Sequence, residues 1–171
     1  MSRFSGYLSR LEKFELDLMS LKILGSYPRF PKLTNVKHLE LAIYAYDAYN
    51  LICCTSFLMV SPLLQRLKLK ILGLECLSLQ CKKKKQKAKP HRCLKVVELG
   101  GFVGYAIDVE LAKNILKRAV SLEKLVIDPC AYSWGEREER TDLECVIAAR
   151  ACAKQLDMSL PPGAELVILS L

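Results

Sequence analysis

Cys76, Cys81, His91 and Cys93 fall close enough together to be weighed as metal ligands, at spacings of 5, 10 and 2 residues. Thiolates and imidazole suit zinc, but a structural zinc site usually draws on close pairs of the C-x-x-C type, and none occurs in this chain. No metal is therefore expected. Nucleophilic catalysis would require a cysteine within reach of a histidine. His38 and His91 are the only histidines and belong to separate stretches, and no acid/base pair converges. Gly100-Gly101-Phe102-Val103-Gly104 follows a strand-like run and precedes a helix-like one. A phosphate-binding turn would need the G-x-G-x-x-G order or a following Lys-Ser/Thr, so these glycines serve a tight exit from the strand. The chain reads as non-enzymatic, with no cofactor.

The strongest charge feature is one basic run. Between Cys81 and Pro90 stand Lys82, Lys83, Lys84, Lys85, Lys87 and Lys89; removing these six lysines takes the formal charge from +8 to +2. The stretch 81–90 cannot bury enough apolar surface to order itself and reads as a mobile loop. It has no aromatic residue to stack on bases, which argues against nucleic acid and leaves a solvated loop or a nuclear-targeting signal.

The elements that would position any of these residues follow from a repeated apolar spacing, L-x-x-[LVF]-x-[LI]. Leu11/Phe14/Leu16, Val36/Leu39/Leu41, Leu64/Leu67/Leu69, Leu94/Val97/Leu99 and Leu122/Leu125/Ile127 all carry it. Their second members stand 25, 28, 30 and 28 residues apart. That period belongs to the longer leucine-rich repeat, in which each unit supplies a strand to a parallel sheet and returns through a helix or irregular segment. The expected fold is thus an α/β solenoid, with a curved parallel sheet on the concave side and helices or irregular returns on the convex side. Residues 1–171 form one domain.

Strands are expected at Lys13 to Leu18, Lys37 to Ile43, Arg66 to Ile71, Lys95 to Leu99, Lys124 to Asp128 and Glu165 to Ser170. Helices are expected from Ala48 to Met59, N-capped by Asp47, from Asp108 to Val120, N-capped by Asp108, and from Asp142 to Gln155. In the second of these, Leu111, Ile115 and Ala119 form the inner stripe, while Lys113, Lys117 and Arg118 take the outer face. Leu74 to Leu79 matches the template too soon to be a full unit and reads as an extra strand or an extended return. Tyr27 to Pro31 is a connector, Gly135 to Arg140 is a solvated loop, and Trp134 beside it anchors the loop or meets a partner.

Eight cysteines and 51% hydrophobic residues could describe a secreted disulfide scaffold. The cysteines lie in apolar patterns, however, and early charges interrupt any signal peptide, so free, buried thiols in a reducing, intracellular compartment, nucleus or cytoplasm, are expected. Ala48 to Gln65 carries no charge over 18 residues. Its polar residues and Pro62 favour a buried helix between two repeat strands over a membrane span.

With the template residues turned inward, the strand period of two turns the residues between them to the concave face. That assigns Lys13, Glu15 and Asp17; His38 and Glu40; Arg66, Lys68 and Lys70; Val96 and Glu98; and Lys124, Val126 and Asp128. These are the expected partner-binding residues, with Arg66, Lys68 and Glu98 central. Acidic units one and two beside a basic unit three suit an acidic partner segment flanked by basic residues. The competing expectation is that charges on neighbouring strands pair with each other.

His91 to Gly104, Glu110 to Ala119, Leu122 to Pro129 and the ending Pro162-Gly163-Ala164-Glu165-Leu166-Val167-Ile168-Leu169 resemble the leucine-rich-repeat region of plant F-box/LRR proteins of the FBD-like group. The resemblance covers about residues 30–171. It implies a protein-interaction module like the substrate-recognition repeats of SCF-type ubiquitin ligases. In that family an N-terminal F-box docks on the Skp1 adaptor. This sequence shows no F-box before its repeats, so Skp1 is expected as a partner only if one stands upstream. The alternative expectation is a truncated relic with no ligase activity or partner of its own, left with an apolar end at Leu8, Leu11 and Phe14.

Overall fold

Six stretches in which apolar residues alternate with polar ones make six strands. In the computed structural model, which describes residues 10–18, 32–44, 55–72, 89–129 and 143–170, these are β1 (Lys13–Leu18), β2 (His38–Tyr44), β3 (Arg66–Leu72), β4 (Val96–Gly100), β5 (Lys124–Asp128) and β6 (Glu165–Ile168). They form one open sheet in the order β1-β2-β3-β4-β5-β6, every pair parallel. The expected strands are all present, with shifts of one or two residues at some ends.

Parallel neighbours in sequence order require a return segment between consecutive strands, and among the described residues the returns bury Phe57, Leu111 and Ala149 in one core with the template side chains. The register has no slip: Phe14, Leu39, Leu67, Val97, Leu125 and Leu166 form one row across the sheet. Such strictness follows from the pleat, since a slip of one residue would turn every template side chain to solvent.

The strands are also tied just before they begin. The carbonyl of Glu12 accepts both the Lys37 and His38 N–H groups, and that of Lys37 accepts those of Gln65 and Arg66. Gln65 does the same for Lys95 and Val96, and Lys95 for Glu123 and Lys124. Distances in this ladder run from 2.8 to 3.0 Å. Lys37 and Lys95 therefore stand one step ahead of their strands rather than inside them.

The template residues fill the core. Val36, Leu41, Leu64, Leu69, Leu94, Val97, Leu125 and Ile127 are fully buried, whereas Leu11, Phe14 and Leu16 in the first unit are only partly covered. Each fully buried leucine contributes about 2 kcal/mol of apolar transfer, so the middle of the stack is the stable part and its first unit the weak one.

Among the described residues three helices lie in the returns: α1 (Thr55–Val60), α2 (Ala106–Leu116) and α3 (Leu143–Lys154), the last running into a 3-10 turn at Gln155–Ser159. Phe57 and Leu58 of α1 are buried; the expected start of that helix, Asp47 to Cys54, lies outside the described residues. Helix α2 begins two residues earlier than expected, and its N-cap is Tyr105 rather than Asp108. Asp108 works from the third helical position instead: its Oδ2 accepts the N–H groups of Val103, Gly104 and Tyr105 at 3.0–3.2 Å. Its own N–H donates to the Tyr105 carbonyl. A carboxylate there reaches back over the first turn, as in a capping box.

Helix α2 ends at Leu116, short of Val120. The turn that follows carries Arg118 inward, correcting its expected outer position: it is 5% exposed, and its Nη1 is buried without a partner. Ala119, beyond the helix, forms a parallel bridge with His91. Gly101 and Gly104, with φ of +77° and +84°, make the tight exit expected after β4. At Gly104 a Cβ would stand 3.1 Å from both Ala149 Cα and Cys152 Cβ, so the absent side chain lets α3 approach.

Among the described cysteines, Cys93, Cys145 and Cys152 are thiols outside any disulfide. They correct the expectation of burial, since Cys145 is exposed and the others are half-buried; the apolar pattern around them does not give them its inward positions. No helix among the described residues is long and apolar enough to cross a membrane. The extra strand or extended return expected at 74–79, the connector at 27–31, residues 81–88 of the lysine run, Trp134 and the charged stretch 135–140 lie outside the described residues.

Candidate functional site: the concave sheet face

The register converts the period-of-two assignment into rows of side chains. Lys13, His38, Arg66, Val96, Lys124 and Glu165 form the first row across the sheet, one residue per strand. Glu15, Glu40, Lys68, Glu98, Val126 and Val167 form the second. Asp17, Ala42, Lys70, Gly100 and Asp128 form the third, on β1 to β5. Strands stand about 4.8 Å apart, so neighbours within a row are in side-chain reach.

The first two rows of β1 to β4 enclose a shallow pocket of about 370 Å³ lined by Lys13, His38, Leu39, Glu40, Arg66, Lys68 and Glu98. Six of these were assigned to this face from the sequence. Sequence reasoning missed Glu165 and Val167 of β6, although extending the same period to the last strand would have found them.

Charge pairing organises the floor. Arg66 donates from both Nε, at 2.9 Å, and Nη2 to Glu98 Oε1. Lys70 Nζ lies 2.7 Å from Glu40 Oε1, and Lys68 Nζ stands 3.8 Å from the same oxygen. Lys124 pairs with Glu165 at 3.2 Å. The Lys70 hydrogen bond holds the Glu40 carboxyl below its usual range, with partial burial opposing, and the same bond holds the Lys70 ammonium above its own. The basic centre of unit three is thus largely engaged with carboxylates of units two and four.

These pairs are layered. The Glu40 and Glu98 side chains are each 18% exposed, against 52% for Arg66, 41% for Lys68 and 39% for Lys70. The carboxylates lie beneath and the cations over them, so an approaching molecule meets positive charge first. Lys13 and His38 make no side-chain hydrogen bond or ion pair with another described residue. On β4 to β6 the character changes, because Val96, Val126 and Val167 present half-buried apolar side chains.

The remaining sequence candidates are structural. His91 is 6% exposed; its Nδ1 accepts the Leu94 N–H at 3.2 Å, which leaves Nε2 to donate to the Ser61 carbonyl at 2.9 Å. Both nitrogens are engaged, so this imidazole offers no lone pair to a metal. Cys76 and Cys81 lie outside the described residues, and among those described no group of three or more His, Cys, Asp or Glu could hold a metal ion.

A family model for the At1g61320/AtMIF1 LRR domain matches residues 10–159, a span from just before β1 through the end of the 3-10 turn. No curated protein and no solved structure matches the chain. Domains of this kind typically bind proteins and are not enzymes. The in-register parallel strands and this match over most of the chain agree, and the protein belongs to the leucine-rich-repeat family of the plant At1g61320/AtMIF1 domain.

Proposed function

We propose that the chain is a non-enzymatic protein-interaction module that binds its partner on the concave face, through Lys13, Glu15, His38, Glu40, Arg66, Lys68, Lys70, Val96, Glu98, Lys124 and Val126. We extend this to the finer reading that it serves as the substrate-recognition part of an F-box-type ubiquitin ligase, as the F-box/LRR resemblance implies. The observation carrying the first step is the pocket at β1 to β4, where exposed cations overlie half-hidden carboxylates beside an apolar strip. A preformed surface of this kind lets a few central side chains dominate binding.

Affinity capture from plant extract, read by mass spectrometry, tests the reading with two variants. Val126→Arg alters the face without breaking an ion pair, and Lys113→Glu alters the exposed side of α2. A protein lost with the first and kept with the second supports the face. Equal recovery with both overturns it. Co-purification of a ligase adaptor with a longer chain that includes upstream sequence tests the finer reading.

A second reading, a repeat remnant without a partner, is favoured by the internal pairing of Arg66 with Glu98 and Lys70 with Glu40. It expects no protein whose recovery depends on Val126.

A further inference from the structure

The concave face divides into two chemically different halves. On β1 to β3 the first row is Lys13, His38 and Arg66, three nitrogen donors on adjacent strands. Lys68 stands in the next row, only loosely paired at 3.8 Å to a carboxylate already taken by Lys70. On β4 and β5 the facing residues include the half-buried apolar Val96 and Val126, beside Glu98, which Arg66 holds, Lys124, which Glu165 holds, and Asp128.

We propose that this face receives an extended segment of a partner protein carrying a short acidic run beside apolar side chains, its carboxylates over Lys13, His38, Arg66 and Lys68 and its apolar residues over Val96 and Val126. The inference rests on the concave-face reading and names the occupant. Lys13 and His38 have donors to spare, and the cations of unit three lie above their own carboxylates, so a negative side chain can approach without displacing either salt bridge. Complementary charge of this sort selects the partner and its orientation.

A nucleic acid fits less well. A phosphate chain gains affinity from a continuous cationic track, whereas Glu40 and Glu98 interrupt this one, and the valines beyond it neutralise no phosphate. A basic segment would meet the exposed ammonium and guanidinium groups first. A protein segment with carboxylates at one end and aliphatic groups at the other satisfies both halves.

Fluorescence anisotropy with synthetic ten-residue peptides tests the proposal, using the whole chain. The probe carries four glutamates followed by alternating leucines; control peptides replace the glutamates by glutamine or by lysine, and a single-stranded oligonucleotide of equal charge is the fourth arm. The acidic probe should bind saturably and more weakly as salt rises. Lys13→Gln combined with His38→Gln should weaken it about fivefold or more, and Lys68→Gln alone should weaken it too. Neither Lys13 nor His38 belongs to an ion pair with another described residue, so circular dichroism of the double variant should be unchanged.

Equal binding of the acidic and glutamine peptides, indifference to both sets of variants, or tighter binding of the oligonucleotide would overturn the proposal. If the peptide fails while a captured protein is still lost with Val126→Arg, the acidic run is wrong and the concave face stands. If both fail, the face itself is wrong.

Discussion

Glu40 and Lys70 are joined diagonally across β2 and β3: the Lys70 ammonium sits 2.7 Å from the carboxylate, although Lys68 is the residue directly opposite Glu40 in the register. Lys68 reaches the same oxygen only at 3.8 Å. Diagonal neighbours on a sheet face are within reach of a long side chain, and this choice frees Lys68 for the pocket.

Glu40→Gln should therefore cost about 0.5–1 kcal/mol at neutral pH, a modest value because both lysines are partly exposed and screened. Glu40's folded pKa is depressed, so its contribution is present above the unfolded value and lost as pH falls. That of Lys70, whose folded pKa is raised, is present below 10.5 and lost as pH rises through the folded value. Urea denaturation should show the gap between wild type and variant closing in acid and shrinking with salt. A gap unchanged in both conditions would contradict the assignment.

Asp108 behaves in the opposite sense. It is fully buried with Oδ1 unpartnered, and burial pushes its carboxyl up to about 6 against three backbone N–H bonds that pull it down. Because the folded value lies above the ordinary 3.8, its contribution is greatest below about pH 4 and declines by roughly 3 kcal/mol as pH rises through 6. Asp108→Asn keeps an acceptor for the loop and removes the charge, so denaturation midpoints between these pH values should flatten. Asp108→Ala strands the loop N–H groups and should cost about 2 kcal/mol.

Gly104 and Gly163 separate crowding from backbone strain. Both have positive φ, +84° and +85°, but a Cβ at Gly104 would press on α3 while one at Gly163 meets nothing within 4 Å. Gly163→Ala should cost about 1 kcal/mol, and Gly104→Ala should cost about 2 kcal/mol more from displacement of α3. Equal shifts in thermal midpoint would mean that α3 gives way freely.

His91→Ala should lower stability by about 2 kcal/mol, since it leaves the Leu94 N–H unpaired in the core and takes from the Ser61 carbonyl one of its two donors, the other being the Leu64 N–H at 3.1 Å. Chemical denaturation monitored by circular dichroism reads this directly. A neutral outcome would imply that water takes over both bonds.

Much of this architecture was legible because a repeat writes the same instruction several times. Phe14, Leu39, Leu67, Val97 and Leu125 set the phase, and once the phase is fixed the pleat assigns Lys13, His38 and Arg66 to the opposite face. Periodicity does not say which neighbour a long side chain chooses, so Arg66 leaning to Glu98 and Lys70 to Glu40 could be read only in three dimensions. Nor does it mark where a helix stops: Arg118 looked solvent-facing while α2 was extended to Val120, and a turn three residues earlier carries it inward. Asp108 has the residue type of an N-cap, but the positive-φ glycines before it start the helix sooner and leave its carboxylate to gather the loop.

The carbonyls shared between consecutive units, from Glu12 to Lys95, make the sheet behave as a zipper. The first amide of each strand is released to solvent only when the strand before it has moved, so opening should start at the ends and travel inward. Deuterium exchange should then be graded along the chain, slowest at β3 and β4 and fastest at β1 and β6. On that gradient the apolar end of the concave face lies closer to a fraying edge than the pocket's centre, and a bound segment spanning both would clamp units that otherwise open independently.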